Sequence, residues 1–164
     1  MDSGSLLIRR FGLPQRCRWL LGQQVAVGIT FGPLVFSGSY LVQANTFNLS
    51  ALLIPLPLGL LITNVLWINQ YPDYEADLRG GKRNLLVRFG KKKGLQIYTL
   101  LFFSAYLLLV FLAVIFANPL WILPLFSLPL SGNAIKIARK YYEDIPRMVE
   151  ANLKTVQVYQ LPVW

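Results

Sequence analysis

The sequence predicts an all-α fold, a polytopic membrane helical bundle of about four transmembrane helices and the start of a fifth. Three observations carry this. Of the 164 residues, 55% are hydrophobic and only 14% charged, a balance foreign to soluble globular domains. Charge-free apolar runs cover residues 19–41, 49–68 and 95–117, and each reaches the ~20 residues that a spanning helix needs. All 16 Lys and Arg fall before the first run, between the second and third, or after a fourth stretch at 119–135. The two remaining connections carry none.

That alternation is what the positive-inside rule requires. It predicts an integral, multi-pass protein of the cell or inner membrane, with its N-terminus, central loop and C-terminal segment cytoplasmic. The net charge of +9 follows the topology instead of forming a nucleic-acid patch. The fourth stretch is the shortest and is interrupted by Pro124 and Pro129, but without it the last basic cluster would lie outside.

Residues 1–18 form a polar, basic lead in which Gly4, Gly12 and Pro14 oppose a continuous helix. Cys17 is the single cysteine, which excludes an intrachain disulfide. It reads as an ordinary juxtamembrane residue, with palmitoylation the lesser alternative. The absence of histidine removes the commonest general base and any His-ligated zinc. No cleavable signal peptide is expected, because the first apolar run starts late and is long enough to span.

The first span is rich in small residues, which suit close helix packing in a membrane. A kink is expected at Phe31-Gly32-Pro33, and an end at Gly38-Ser39-Tyr40. Gln23 and Gln24 are more simply interfacial than ligand-binding. The second span opens near Asn48 and Ser50, either of which could cap it, and should bend at Pro55 and Pro57. From Thr63 onward, Asn64 and Asn69 read as a polar stripe facing a wet cavity.

The chemistry then concentrates between Trp67 and Arg83. Asn69, Asp73 and Asp77 are spaced four apart, so on a helix they form a column with about 6 Å of rise between neighbours. Such a column can hold a hard cation. Mg²⁺ takes oxygen ligands and is commonly held by one or two carboxylates plus substrate phosphate oxygens and water. Lys82 and Arg83 follow a Gly80-Gly81 helix stop, within reach of the same phosphate. A plainer reading has Pro72 restart the helix, so that Asp73 and Glu75 merely favour its first turn. It accounts for neither Asp77 nor the Lys82-Arg83 pair. Lys91, Lys92 and Lys93 anchor the next span to anionic head groups.

Together these residues resemble the UbiA-type intramembrane prenyltransferases, most closely their dihydroxynaphthoate (menaquinone or phylloquinone) branch. The resemblance rests on Phe31-Gly32-Pro33, on Gly38-Ser39-Tyr40-Leu41-Val42-Gln43, and on Asn69-x-x-x-Asp73-x-Glu75-x-Asp77. Gly81-Lys82-Arg83, Val87-Arg88-x-Gly90 and the late segment Asn152-Leu153-Lys154-Thr155-Val156-Gln157 continue it in order. It implies a bundle resembling the second half of that fold, with residues 1–164 as one partial transmembrane prenyltransferase domain. It also implies Mg²⁺ as cofactor, and transfer of an isoprenoid group from a prenyl diphosphate to an aromatic acceptor in quinone biosynthesis.

Under that resemblance Asp73 and Asp77 are the catalytic and metal-binding residues, with Glu75 a further metal ligand. Asn69, Lys82 and Arg83 bind the diphosphate. The family's other Asp-rich motif, of Asn-Asp-x-x-Asp type, does not occur in these residues. A half-length relative is therefore expected, either a truncated frame or one subunit whose partner chain supplies the missing helices, and inactive alone. The competing reading is a non-catalytic membrane protein of the same descent, its acidic and basic loop purely structural. A small transporter fits less well, since no span carries a charge at its centre.

Overall fold

The structure, a computed structural model, describes residues 24–82, 84–117 and 119–161. The basic lead, Cys17, Gln23 and the start of the first span lie outside them.

Helix α1 runs Gln24–Ala44. Its middle, Thr30–Leu34, is one π-helical turn containing Pro33. Proline lacks the amide hydrogen and its ring crowds the carbonyl four residues back, so the turn widens. This is the expected irregularity at Phe31-Gly32-Pro33. The expected end at Gly38-Ser39-Tyr40 is corrected: the helix continues to Ala44 and stops where Asn45 turns left-handed, φ 50°. Nothing approaches Gly38 closely and no proline follows, so the small residues there do not break the ladder.

Asn48 caps the short helix α2 (Leu49–Leu53), accepting the Ser50 amide hydrogen at 3.1 Å. After a bend at Ile54 and Pro55 the chain enters α3 (Leu56–Arg79). Helix α3 continues through Pro72 without restarting, against the reading in which a new helix begins there. Proline removes one backbone bond there, and the buried neighbours Trp67, Ile68 and Tyr71 hold the turn in place. Gly80 and Gly81 end the helix as anticipated, Gly81 at φ 69°.

Helix α4 (Leu85–Ile115) includes the basic turn that the sequence set apart from the third span, and Gly90, at φ 79° and ψ 158°, kinks it. The fourth stretch is a 3₁₀ segment, Pro119–Ser127, followed by α5 (Leu128–Tyr141). Pro124 lies inside the tight segment, which closes by i→i+3 bonds. The last helix among the described residues is α6 (Ile145–Gln160), whose Met148, Ala151, Thr155 and Val158 form one buried face.

Among the described residues, three helical stretches are long and apolar enough to cross a membrane: Gln24–Ala44, Leu49–Arg79 and Leu85–Ile115. The chain is an integral membrane protein, and α4 turns Leu100, Phe103, Leu107 and Phe111 outward, as a lipid-facing helix does.

Helix α3 is the axis of the bundle, touching α1, α4 and α6, while α5 packs on α6. Its contact with α1 is backbone against backbone. A Cβ on Gly32 would lie 2.8 Å from the Gly59 Cα, and one on Gly28 would lie 2.5 Å from the Thr63 Oγ1. Only glycine fits so close a crossing. The contact with α4 uses side chains: Trp67 Nε1 donates to the Gly94 carbonyl and Tyr71 Oη to that of Lys91, each at 2.9 Å. Tyr98 of α4 and Thr155 of α6 share a buried 2.6 Å hydroxyl bond that ties in α6.

Candidate functional site

Because α3 does not restart at Pro72, Asp73, Glu75 and Asp77 lie in its last two turns. The helix dipole there opposes negative charge. The first-turn explanation of these carboxylates is thereby removed, and they need another reason to stand where they do.

Asp73 and Asp77 share one face, with Asn69 continuing the column toward the membrane; Asn69 and Asp73 are exposed and Asp77 is half-buried. The structure gathers a small network on Asp77. Lys82 Nζ pairs with Oδ1 at 3.0 Å, and Asn84 Nδ2 donates to Oδ2 at 2.7 Å. Asn84 Oδ1 meanwhile accepts the Val87 amide hydrogen at 2.8 Å and so caps α4. One amide thus ties the end of the acidic helix to the start of the next. The hydrogen bond and charge of Asp77 push the Lys82 pKa above its ordinary value, with Asp73 adding to the effect. Lys82 is therefore an ammonium at neutral pH, and its side chain is 75% exposed, free to swing toward an incoming anion.

Glu75 is not brought to this face. Two residues from each aspartate, it points ~200° around the helix and pairs with Lys91 Nζ at 2.9 Å. The Lys91 ammonium also lies 4.8 Å from the centre of the Tyr74 ring. Arg83 lies outside the described residues. Among the described residues no three His, Cys, Asp or Glu side chains are placed to share a metal ion.

The reading of Asn64 and Asn69 as one polar stripe is corrected. Five residues put them ~140° apart: Asn69 is exposed, whereas Asn64 is wholly buried with neither amide atom bonded. Beside the site, an apolar cavity of about 400 Å³ lies between α1, α3 and α4. Gln24, Gly59, Thr63, Trp67 and Phe89 line it, and it reaches Leu85, the residue after Asn84.

The profile of the UbiA prenyltransferase family matches residues 18–153. The chain belongs to that family. It is 35% identical over 98 residues to the 2-carboxy-1,4-naphthoquinone phytyltransferase of Synechocystis sp., covering 59% of this chain and 32% of the relative. It is 28% identical over 110 residues to the 1,4-dihydroxy-2-naphthoate octaprenyltransferase of Bacillus subtilis, covering 66% and 35%. With the UbiA prenyltransferase domain-containing protein 1 of Gallus gallus the identity is 35% over 89 residues, 54% and 27% of the two chains. The matched part thus spans about a third of these relatives' length. No solved structure matches.

Two residues around this UbiA-family site take places that the sequence reading did not give them: Asn84, which ties Asp77 to α4, and Lys91, read as a head-group anchor but paired with Glu75. Asn84 carried a signal, since an Asn just before an apolar helical run is an N-cap pattern. Lys91 carried none, because its partner Glu75 is 16 residues away and only the fold joins them.

Proposed function

We propose that this chain forms the diphosphate-binding part of an enzyme that moves an isoprenoid group from a prenyl diphosphate to an aromatic acceptor. A dihydroxynaphthoate-like ring in quinone biosynthesis is the acceptor class. The observation that carries this is the placing of Asp73 and Asp77 on one face at the C-terminal end of α3, against the helix dipole and beside Lys82.

Those residues fit Mg²⁺ of a particular kind. Two carboxylates a turn apart, without a third, suit an ion that completes its shell with substrate phosphate and water. In this reading Asp73 and Asp77 hold the ion and Asn69 contributes an amide oxygen. Bound Mg²⁺ supplies charge stabilisation to the departing diphosphate. Lys82 moves from Asp77 to the phosphate oxygens, joined by Arg83, and neutralises charge as it develops. Glu75 acts indirectly by fixing Lys91. The apolar cavity beside Leu85 takes the isoprenoid chain and keeps water from the reacting carbon.

The remaining helices and the second Asp-rich motif come from further polypeptide, such as a partner chain, and the basic end of the bundle faces the cytoplasm. The test is binding of a radiolabelled prenyl diphosphate to the purified chain in detergent. Binding is expected to need Mg²⁺ and to weaken roughly tenfold or more in Asp73→Asn and Asp77→Asn. Unchanged binding in both variants, with normal folding, would leave the acidic and basic loop as structure only.

A further inference from the structure

A second cavity, about 520 Å³, lies between α4 and α5, and the site above makes no use of it. Its α4 wall runs from Thr99 through Phe103 to Val110, and its α5 wall from Leu128 through Gly132 to Ile135. At 1.5 Å per residue the α4 wall is ~16 Å long. That is about half of a ~30 Å hydrocarbon core, the depth of one leaflet. Phe103 and Val110 are 65% and 45% exposed, so the groove is open to the bilayer along its side.

The two ends differ in kind. At the far end the walls are apolar. At the near end, Arg139 continues the Gly132 and Ile135 stripe of α5 and donates from Nη2 to the Thr99 Oγ1 at 3.3 Å. The Thr99 hydroxyl is itself spent on the Leu95 carbonyl. Among the described residues Arg139 has no carboxylate partner. Lys92, seven residues before Thr99, stands two turns up the same face of α4. A guanidinium over an apolar slot one leaflet deep complements an amphiphile with an anionic head.

We propose that this groove binds an anionic phospholipid of the surrounding bilayer, with one acyl chain along α4 and its phosphate against Arg139. A guanidinium can meet a phosphate through two parallel hydrogen bonds. A partner helix is a poor occupant. It would run the full membrane thickness where this groove runs half, and it would bury an unpaired cation. The inference is independent of prenyl transfer.

The test uses the full chain in phosphatidylcholine vesicles doped with phosphatidylglycerol bearing a photoactivatable acyl chain, with adducts mapped by mass spectrometry. Adducts are expected on the groove-lining segments around Phe103, Val110 and Gly132. Labelled phosphatidylcholine should give several-fold fewer, and Arg139→Gln should cut phosphatidylglycerol capture to that level. Gly132→Phe fills the groove: nothing lies within 4 Å of a Cβ at Gly132, and a helical glycine is replaced by a better helix former. Capture should be lost in it with thermal unfolding unchanged. Equal capture of the two lipids, or adducts spread evenly around the exposed helices, would overturn the proposal. So would displacement by a prenyl diphosphate, which would give the groove to that substrate.

Discussion

The two sides of α3 meet their surroundings in opposite ways. On the inner side Trp67, Ile68 and Tyr71 are buried, and both polar tips find carbonyls of α4. On the outer side Asn69 and Asp73 are exposed, and Asp77 is held by groups from the following loop. Around Trp67 and Tyr71 the inner side is finished by the chain itself, and Asn64, further back on the helix, is buried without a bond among the described residues. The outer side is charged at the helix end where charge of that sign is unfavourable, and it borrows Lys82 and Asn84 to offset this. One helix thus separates what holds it in place from what it offers to a ligand.

The strongest way to break that separation is Gly59→Leu. The new side chain meets backbone of α1, which no rotamer change relieves. A loss of about 3 kcal/mol, the upper end for overpacking, is expected in unfolding experiments in detergent, with binding lost alongside it. Stability within ~0.5 kcal/mol of wild type would show that the two backbones do not cross so closely.

A sharper cut comes at Asn84, which serves both sides at once. Asn84→Ala removes cap and tie together and should cost about 1 kcal/mol. Asn84→Asp keeps an acceptor for the Val87 amide but sets a carboxylate against Asp77. Its stability should stay closer to wild type while Mg²⁺-dependent diphosphate binding falls several-fold. Equal binding by the aspartate variant and wild type would confine Asn84 to capping.

The smallest effect belongs to Lys91→Met. The ion pair with Glu75 is half-open to solvent, and such pairs contribute less than ~1 kcal/mol. Diphosphate affinity should drop no more than about threefold, a difference that added salt should erase. A larger drop would place Lys91 on the ligand itself.

Much of this was legible in the chain. The spans follow from charge-free apolar runs, the bend before α3 from Pro55, and the end of α3 from Gly80 and Gly81. The aspartate column followed from four-residue spacing, because Pro72 does not interrupt the helix on which that spacing depends. Pro72 itself was misleading. Its cost is one backbone bond, and whether a helix absorbs that depends on tertiary packing around Trp67 and Tyr71, which no local pattern contains. Asn64 misled for a simpler reason, since polarity at five-residue spacing is not a stripe on a helix. Contacts such as Glu75 with Lys91 are set by how two helices are laid together, and that is decided by residues remote from either.

The glycine crossing of α1 and α3 has a thermodynamic side as well. In a bilayer, no hydrophobic force drives helices together, since lipid tails are as apolar as leucine. A contact built of Gly28, Gly32 and Gly59 freezes no side-chain torsions, so it gains close packing without the rotamer entropy that larger residues would forfeit. Helix α1 is thus held at that crossing with no rotamer cost from its glycines, the residues that contribute least surface.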